Sequence, residues 1–178
     1  MKILAISGSL KSDSTNAALL RAAAALAPGG MEFSYFDRQI GDLPHFRPDL
    51  DEEGTIPPQA VAELRRLVTE ADGILVSCPE YAHGVPGSFK NALDWLVSTE
   101  VLAGKPLALL MASPSGAPHA WAALAPTLRV MGADIVFEAS LVFARRHLGA
   151  DGRLVDAELA ARIREALDAL AAAATRQA

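Results

Sequence analysis

An open, doubly wound α/β sheet of five parallel strands, with helices on both faces, is the fold the sequence predicts. Three observations predict it. Apolar, strand-like runs recur five times, at KILAIS, EFSYFD, GILVSCP, PLALLMAS and ADIVFE. Between them the apolar residues change to helical spacing, and that alternation belongs to parallel sheets with helical crossovers. Two of the runs, GILVSCP and PLALLMAS, are apolar without alternation, as strands covered on both faces are.

After the first run, Gly8 to Ser14, small or polar except for Leu10, lead into a helical pattern from about Thr15 to Ala27. The second run, EFSYFD, is followed by RQIGDLPHFRPDLDEEGTIPP, whose prolines, glycines and acids read as a long loop. A second helix is expected from about Pro57 to Ala71, with Val61, Leu64, Val68 and Ala71 on one face and Thr55 and Pro57 as its start signals. GSFKNALDWLVS and HAWAALAPTLRVMG give a third and a fourth helix. A last one carries Leu159, Ile163, Leu167 and Leu170 in register, with Asp156 as its N-cap. No repeat or linker divides the chain, so residues 1–178 are expected to form one domain. With five strands the expected order is the flavodoxin-like 2-1-3-4-5, which places a ligand beyond the carboxyl ends of the strands, where the chain switches between strands one and three.

Composition narrows the function. Of the 178 residues 51% are apolar and 21% charged, enough to build a core without staples. Sixteen Lys and Arg against 21 Asp and Glu give a net charge of −5 with no dense basic cluster, which argues against a nucleic-acid partner. No apolar run approaches a membrane span, and the apolar stretch in MKILAISGSL is too short for a signal h-region, so no signal peptide is expected. The single cysteine, Cys78, fits a reducing compartment, so a cytoplasmic location is expected. Cys78 falls inside an apolar strand and reads as an inert thiol. His45, His83, His119 and His147 lack local metal-ligand spacing, so no metal is expected. Trp95 and Trp121 read as packing residues in the core or between subunits.

Three loops should meet at the switch point. The first, SGSLKSDSTN, is neither of the standard glycine-rich nucleotide fingerprints. Its Ser9, Ser12, Ser14, Thr15 and Asn16 offer hydroxyl and amide groups, Lys11 a charge, and the following helix its unsatisfied N–H groups, a set that suits a phosphate monoester. The same residues would equally make an N-cap with a solvated turn. In the second, CPEYAHGVPG, Glu80, Tyr81 and His83 could flank a flat ring, or the segment could be a rigid turn into a helix. The third is ASPSGAPHA.

GSLKSDSTN resembles the phosphate loop of the NAD(P)H-dependent FMN reductase family, and PEYAHGVPGSFKNALDW closely resembles its second signature through Pro79, Glu80, Tyr81, Pro86, Gly87, Lys90, Asn91, Asp94 and Trp95. The family includes quinone, chromate and azo-dye reductases. The resemblance runs from the first strand through the last helix. It implies a flavodoxin-like fold, bound FMN, NADPH or NADH as co-substrate, and a homodimer or homotetramer. Ser9, Lys11, Ser14, Thr15 and Asn16 would hold the FMN phosphate. Pro79, Glu80, Tyr81 and Ala82 would border the ring, and Ser113, Ser115 and Gly116 would contact the ribityl chain and ring edge. The chain departs from the family at Lys11, where Arg is frequent, at Ala82 and Gly84, where Asn and Ser are common, and at APHAW, which replaces an Arg-containing stretch. With those changes His83 is the neutral-pH titrating group left in the second loop and is assigned to the acceptor or nicotinamide pocket. The implied activity is hydride uptake from NAD(P)H and reduction of a quinone, free flavin or similar small acceptor, with no side chain as acid, base or nucleophile. An FMN-binding electron carrier, or a regulatory or interaction protein without nicotinamide turnover, is the alternative. The helix SFKNALDWLVSTEVL, apolar around much of its circumference at Phe89, Leu93, Trp95, Leu96 and Val97, adds to the expectation of an oligomer.

Overall fold

The computed structural model describes residues 1–177. Five strands, β1 (Lys2–Ser7), β2 (Glu32–Phe36), β3 (Gly73–Cys78), β4 (Pro106–Ser113) and β5 (Asp134–Val142), form one parallel sheet in the order β2-β1-β3-β4-β5. Five helices connect and cover it: α1 (Thr15–Leu26), α2 (Gln59–Glu70), α3 (Gly87–Asp94), α4 (Pro118–Val130) and α5 (Ala157–Gln177). The fold class and strand order are those the sequence predicts.

Pleating sorts the core into two layers. On β1, Leu4 and Ile6 join Val61, Leu64 and Val68 of α2, Phe89 and Leu93 of α3 and Leu124 of α4 on one face. Ile3 and Ala5 face the other way, onto Leu19 and Leu20 of α1 and Ile163, Leu167 and Leu170 of α5. Every residue of β3 is buried, which is why its sequence shows no alternation.

Helix starts follow their capping chemistry. Ser14 Oγ accepts the Ala17 amide at 3.3 Å and so caps α1. The Asp156 carboxylate accepts the amides of Glu158 and Leu159 at 3.0 and 3.1 Å and caps α5, as its sequence position implies. Helix α2 begins at Gln59 rather than Pro57, because the Thr55 hydroxyl turns back to the carbonyls of Leu50 and Glu52 instead of capping forward.

The largest departure concerns α3, which ends at Asp94 rather than near Ser98, followed by a short 3-10 turn at Val97–Thr99. The long loop after β2, which contains two 3-10 turns, folds over it. The Pro44 carbonyl accepts both the Trp95 indole N–H (2.8 Å) and the Asn91 amide (3.0 Å), and Phe46 meets Trp95 edge-on at 5.1 Å. Arg65 bonds the Trp95 carbonyl and the Asp51 carboxylate, each at 2.6 Å. Phe89, Leu93, Trp95 and Leu96 are therefore buried within their own chain, and only Val97 of the five is exposed. The apolar circumference of this segment is accounted for by its own loop and sheet, so it no longer requires a second subunit.

Candidate flavin site

The loops after β1, β3 and β4 leave adjacent parallel strands from the same sheet edge, so the topology alone gathers them. The buried polar residues single out one part of that edge. Among the described residues they are Ser7, Ser9, Ser14, Asn16 and Ser77, all at the switch between β1 and β3. Ser7 and Ser77 are register partners. The Ser77 hydroxyl donates to Asn16 Oδ1 at 2.8 Å, tying the first turn of α1 to β3, and the Gly8 amide extends the ladder to the Ser77 carbonyl at 2.9 Å. Burying this much polarity is costly unless each group is paired, and no buried side-chain nitrogen or oxygen among the described residues lacks a partner.

The loop above is a nest of donors. Ser9 Oγ accepts the Lys11 amide at 3.4 Å, and the amides of Thr15 and Asn16, the first two of α1, have no acceptor among the described residues. Unpaired N–H groups at a helix start, with hydroxyls around them, form an anion site. Lys11 lies on the rim: its side chain is exposed and its ammonium sits 3.2 Å from the Asp13 carboxylate. The hydrogen bond from Lys11 holds the Asp13 carboxyl below its usual range. Sequence reasoning missed Arg145, from the turn after β5, which donates to the Asp13 carbonyl at 3.0 Å across 132 positions. A cavity of about 390 Å³ against this loop is lined by Ser9, Lys11, Ser12, Ser14, Arg21 and Arg145, with Asp13 and Asp37 already engaged by Lys11 and Arg21. Hydroxyls, orphan amides and four cations, Lys11, Arg21, Arg38 and Arg145, are a donor set a phosphate monoester takes, so these residues fit an FMN phosphate.

The loop after β3 starts with buried Pro79 and turns tightly. Tyr81 and Gly84 exchange both backbone hydrogen bonds, at 3.1 and 2.9 Å, and Ala82 (φ 48) and His83 (φ 59) between them take left-handed conformations. Two left-handed residues in a two-residue hairpin are a type I′ turn, which favours Asn-Gly rather than the Ala-His found in this chain. Tyr81 stands 54% exposed, leaving an aromatic face free at the rim. Beneath the loop, burial pushes the Cys78 thiol up to about 12, which agrees with an inert side chain.

The third loop locks onto the second. Glu80 Oε2 accepts the amides of His119 (2.8 Å) and Ala120 (3.0 Å) at the start of α4. The Ser113 hydroxyl accepts the Ser115 amide at 3.2 Å, and the Ser113 carbonyl accepts the Gly116 amide at 3.1 Å. Gly116 (φ 82) is required where it stands, since a Cβ there would lie 2.7 Å from Ser140 Oγ. His83 stacks on His119, ring centroids 4.2 Å apart. The structure thus brings Ser9, Ser14, Thr15 and Asn16 together around the helix start, and Pro79 to His83 with Ser113 to Gly116 along the adjoining strand ends. Lys11 is beside the first group rather than within it.

Comparison with known proteins agrees with this geometry. An NAD(P)H-dependent FMN reductase of Pseudomonas aeruginosa is 34% identical over 176 residues, 96% of this chain and 93% of that protein. A 2-hydroxy-1,4-benzoquinone reductase of a Burkholderia species is 38% identical over 113 residues, 62% of this chain but only 59% of the relative's length. Among solved structures, the flavoenzyme NAD(P)H:(acceptor) oxidoreductase FerB of Paracoccus denitrificans superposes with a TM-score of 0.84 at 32% identity, covering 98% of this chain and 97% of that one. The model of the family described as NADPH-dependent FMN reductase matches residues 1–147, a stretch that takes in all three loops. On that match and the near full-length likeness to the Pseudomonas protein, the chain belongs to the NADPH-dependent FMN reductase family.

Proposed function

We propose that this chain is an FMN-dependent oxidoreductase that takes a hydride from NADPH or NADH and reduces a quinone, free flavin or similar small acceptor. The observation that carries the reading is the concentration of buried polar residues at the β1–β3 switch, beneath a helix start with unpaired amides. Ser9, Ser14, Thr15 and Asn16 hold the cofactor's phosphate, with Lys11 and Arg145 supplying charge from the rim. Pro79, Glu80, Tyr81 and Ala82 border the ring, while Ser113, Ser115 and Gly116 receive the ribityl chain and ring edge. Bound there, FMN supplies the hydride chemistry. The chain's own share is to fix the phosphate, keep the loops rigid through the Glu80 lock on α4, and leave the Tyr81 and His83 rim open to acceptor and nicotinamide. A single phosphate nest with no second glycine-rich turn suits FMN rather than FAD.

The chain also acts as a homo-oligomer in this reading. A cavity of about 680 Å³ between α3 and α4 is bordered by exposed Val97 (59%) and Val130 (90%), apolar surface that a second copy would cover. Among the described residues no helix is long and apolar enough to cross a membrane.

The test is anaerobic addition of NADPH, then NADH, to flavin-loaded protein while following the visible flavin absorbance. Rapid bleaching by either nicotinamide is expected. Stable colour with both would reassign the chain as an electron carrier.

A further inference from the structure

We propose that Glu80, His83 and His119 form a binding site for a divalent transition metal of the Zn2+ type, clamping the hairpin after β3 to the first turn of α4. This does not rest on the flavin reading. The four histidines show no ligand spacing along the sequence, yet folding brings two of them against one carboxylate. The ligand atoms of the three side chains all lie within 4.8 Å of one another. Around a tetrahedral ion with bonds of about 2.0–2.1 Å, ligand atoms sit on the order of 3.4 Å apart, so closing the set asks for shifts of about an ångström.

The three groups are prepared for that closure to different degrees. Glu80 is fixed, since its Oε2 already accepts the His119 and Ala120 amides, and its Oε1 accepts nothing among the described residues. Both imidazoles are exposed, and their rings are stacked with 25° between planes. Neither ring is enclosed by the core, so each is free to turn about its side-chain torsions toward the carboxylate. Two imidazoles and one carboxylate, with a fourth position left for water, are an open-site ligand set for zinc and its borderline neighbours rather than for calcium or magnesium.

The backbone on both sides supports the reading independently. His83 takes the second left-handed position of the type I′ turn, where glycine is strongly preferred, and Ala117 (φ 54), two residues before His119, is left-handed as well. Such conformations in residues with a Cβ are strained and concentrate at functional sites. In this chain they present two imidazoles to the same carboxylate.

The experiment is a Zn2+ titration of tag-free protein as purified, by calorimetry and by competition with a chromophoric chelator, repeated with Co2+ for its visible spectrum. One ion per chain is expected, removable by chelator. His83→Ala and His119→Ala should each weaken it by about tenfold or more, since losing a ligand costs no less than losing a group that orients one. His45→Ala should leave it unchanged, and circular dichroism would show that each variant is folded. No stoichiometric binding, or binding that both His83→Ala and His119→Ala leave intact, would overturn the site.

Discussion

The loop after β1, to which we assign the cofactor's phosphate, and the rim of the second and third loops are built by opposite means. The loop after β1 is anchored from below: Ser7, Ser9, Ser14, Asn16 and Ser77 are buried, with hydrogen bonds inside the loop and one long-range tie, 61 positions apart, from the Ser77 hydroxyl of β3 to Asn16 of α1. The rim formed by residues 79–84 and 113–119 is held from the side, by a Glu80 carboxylate on the amides of α4 and by four backbone positions with positive φ. Its Tyr81, His83 and His119 side chains are exposed. The difference assigns two tasks. Rigid buried donors suit a group held in one place, whereas an exposed rim on a strained but locked backbone suits molecules that come and go.

Substitutions that attack each kind of construction would sharpen the contrast. The largest effect is expected at the rim, for Gly116→Ala. It forces a side chain into a left-handed conformation, costing about 1–3 kcal/mol. It also drives a Cβ against Ser140 Oγ, whose hydrogen bond to the Gly116 carbonyl, worth about 1 kcal/mol, is then lost. Urea unfolding should show a loss of about 2–4 kcal/mol; an unchanged midpoint would mean the third loop relaxes freely.

Next comes the anchor of the other region. Asn16→Ala leaves the buried Ser77 hydroxyl without its acceptor and should cost about 1–3 kcal/mol of stability. Its FMN affinity should fall as well, because the start of α1 loses its tie to β3. Stability lost with affinity intact would show that the buried network is scaffold alone.

How much of this contrast could be read beforehand follows from the range of the contacts. The capped, hydroxyl-rich helix start after β1 was legible because its parts are neighbours: Ser14 caps the helix it precedes, and the donors span residues 9–16. The buried strands were legible for the same reason, since each run carries its own pattern. The rim was not. Glu80 reaches an amide 39 positions away, and YAHG lacks the Asn-Gly that would announce its turn. Metal-ligand spacing looks a few residues along one helix and cannot see His83 beside His119. The reading of α3 failed in the same way. The Pro- and acid-rich loop after β2 looks like solvent-exposed connection, yet its Pro44 carbonyl receives Trp95 from 51 positions away. Arg145 had no local signal at all.

A smaller effect is expected for Lys11→Ala. The side chain is exposed and its ammonium is shared with Asp13, so the FMN-free protein should unfold at an unchanged urea midpoint. FMN affinity should drop about tenfold, near the lower end for a charge-assisted hydrogen bond. No change in the dissociation constant would leave the hydroxyls, helix amides and Arg145 as the whole phosphate site.

If affinity resides in the loop after β1 and not in the rim, titrating the apoprotein with FMN and with riboflavin under identical conditions will separate the two ligands. The two ligands share the ring and the ribityl chain and differ only in the phosphate. Riboflavin should bind about a hundredfold more weakly, a difference of about 2.7 kcal/mol. Equal affinities would contradict this and move the anchor to the ring side.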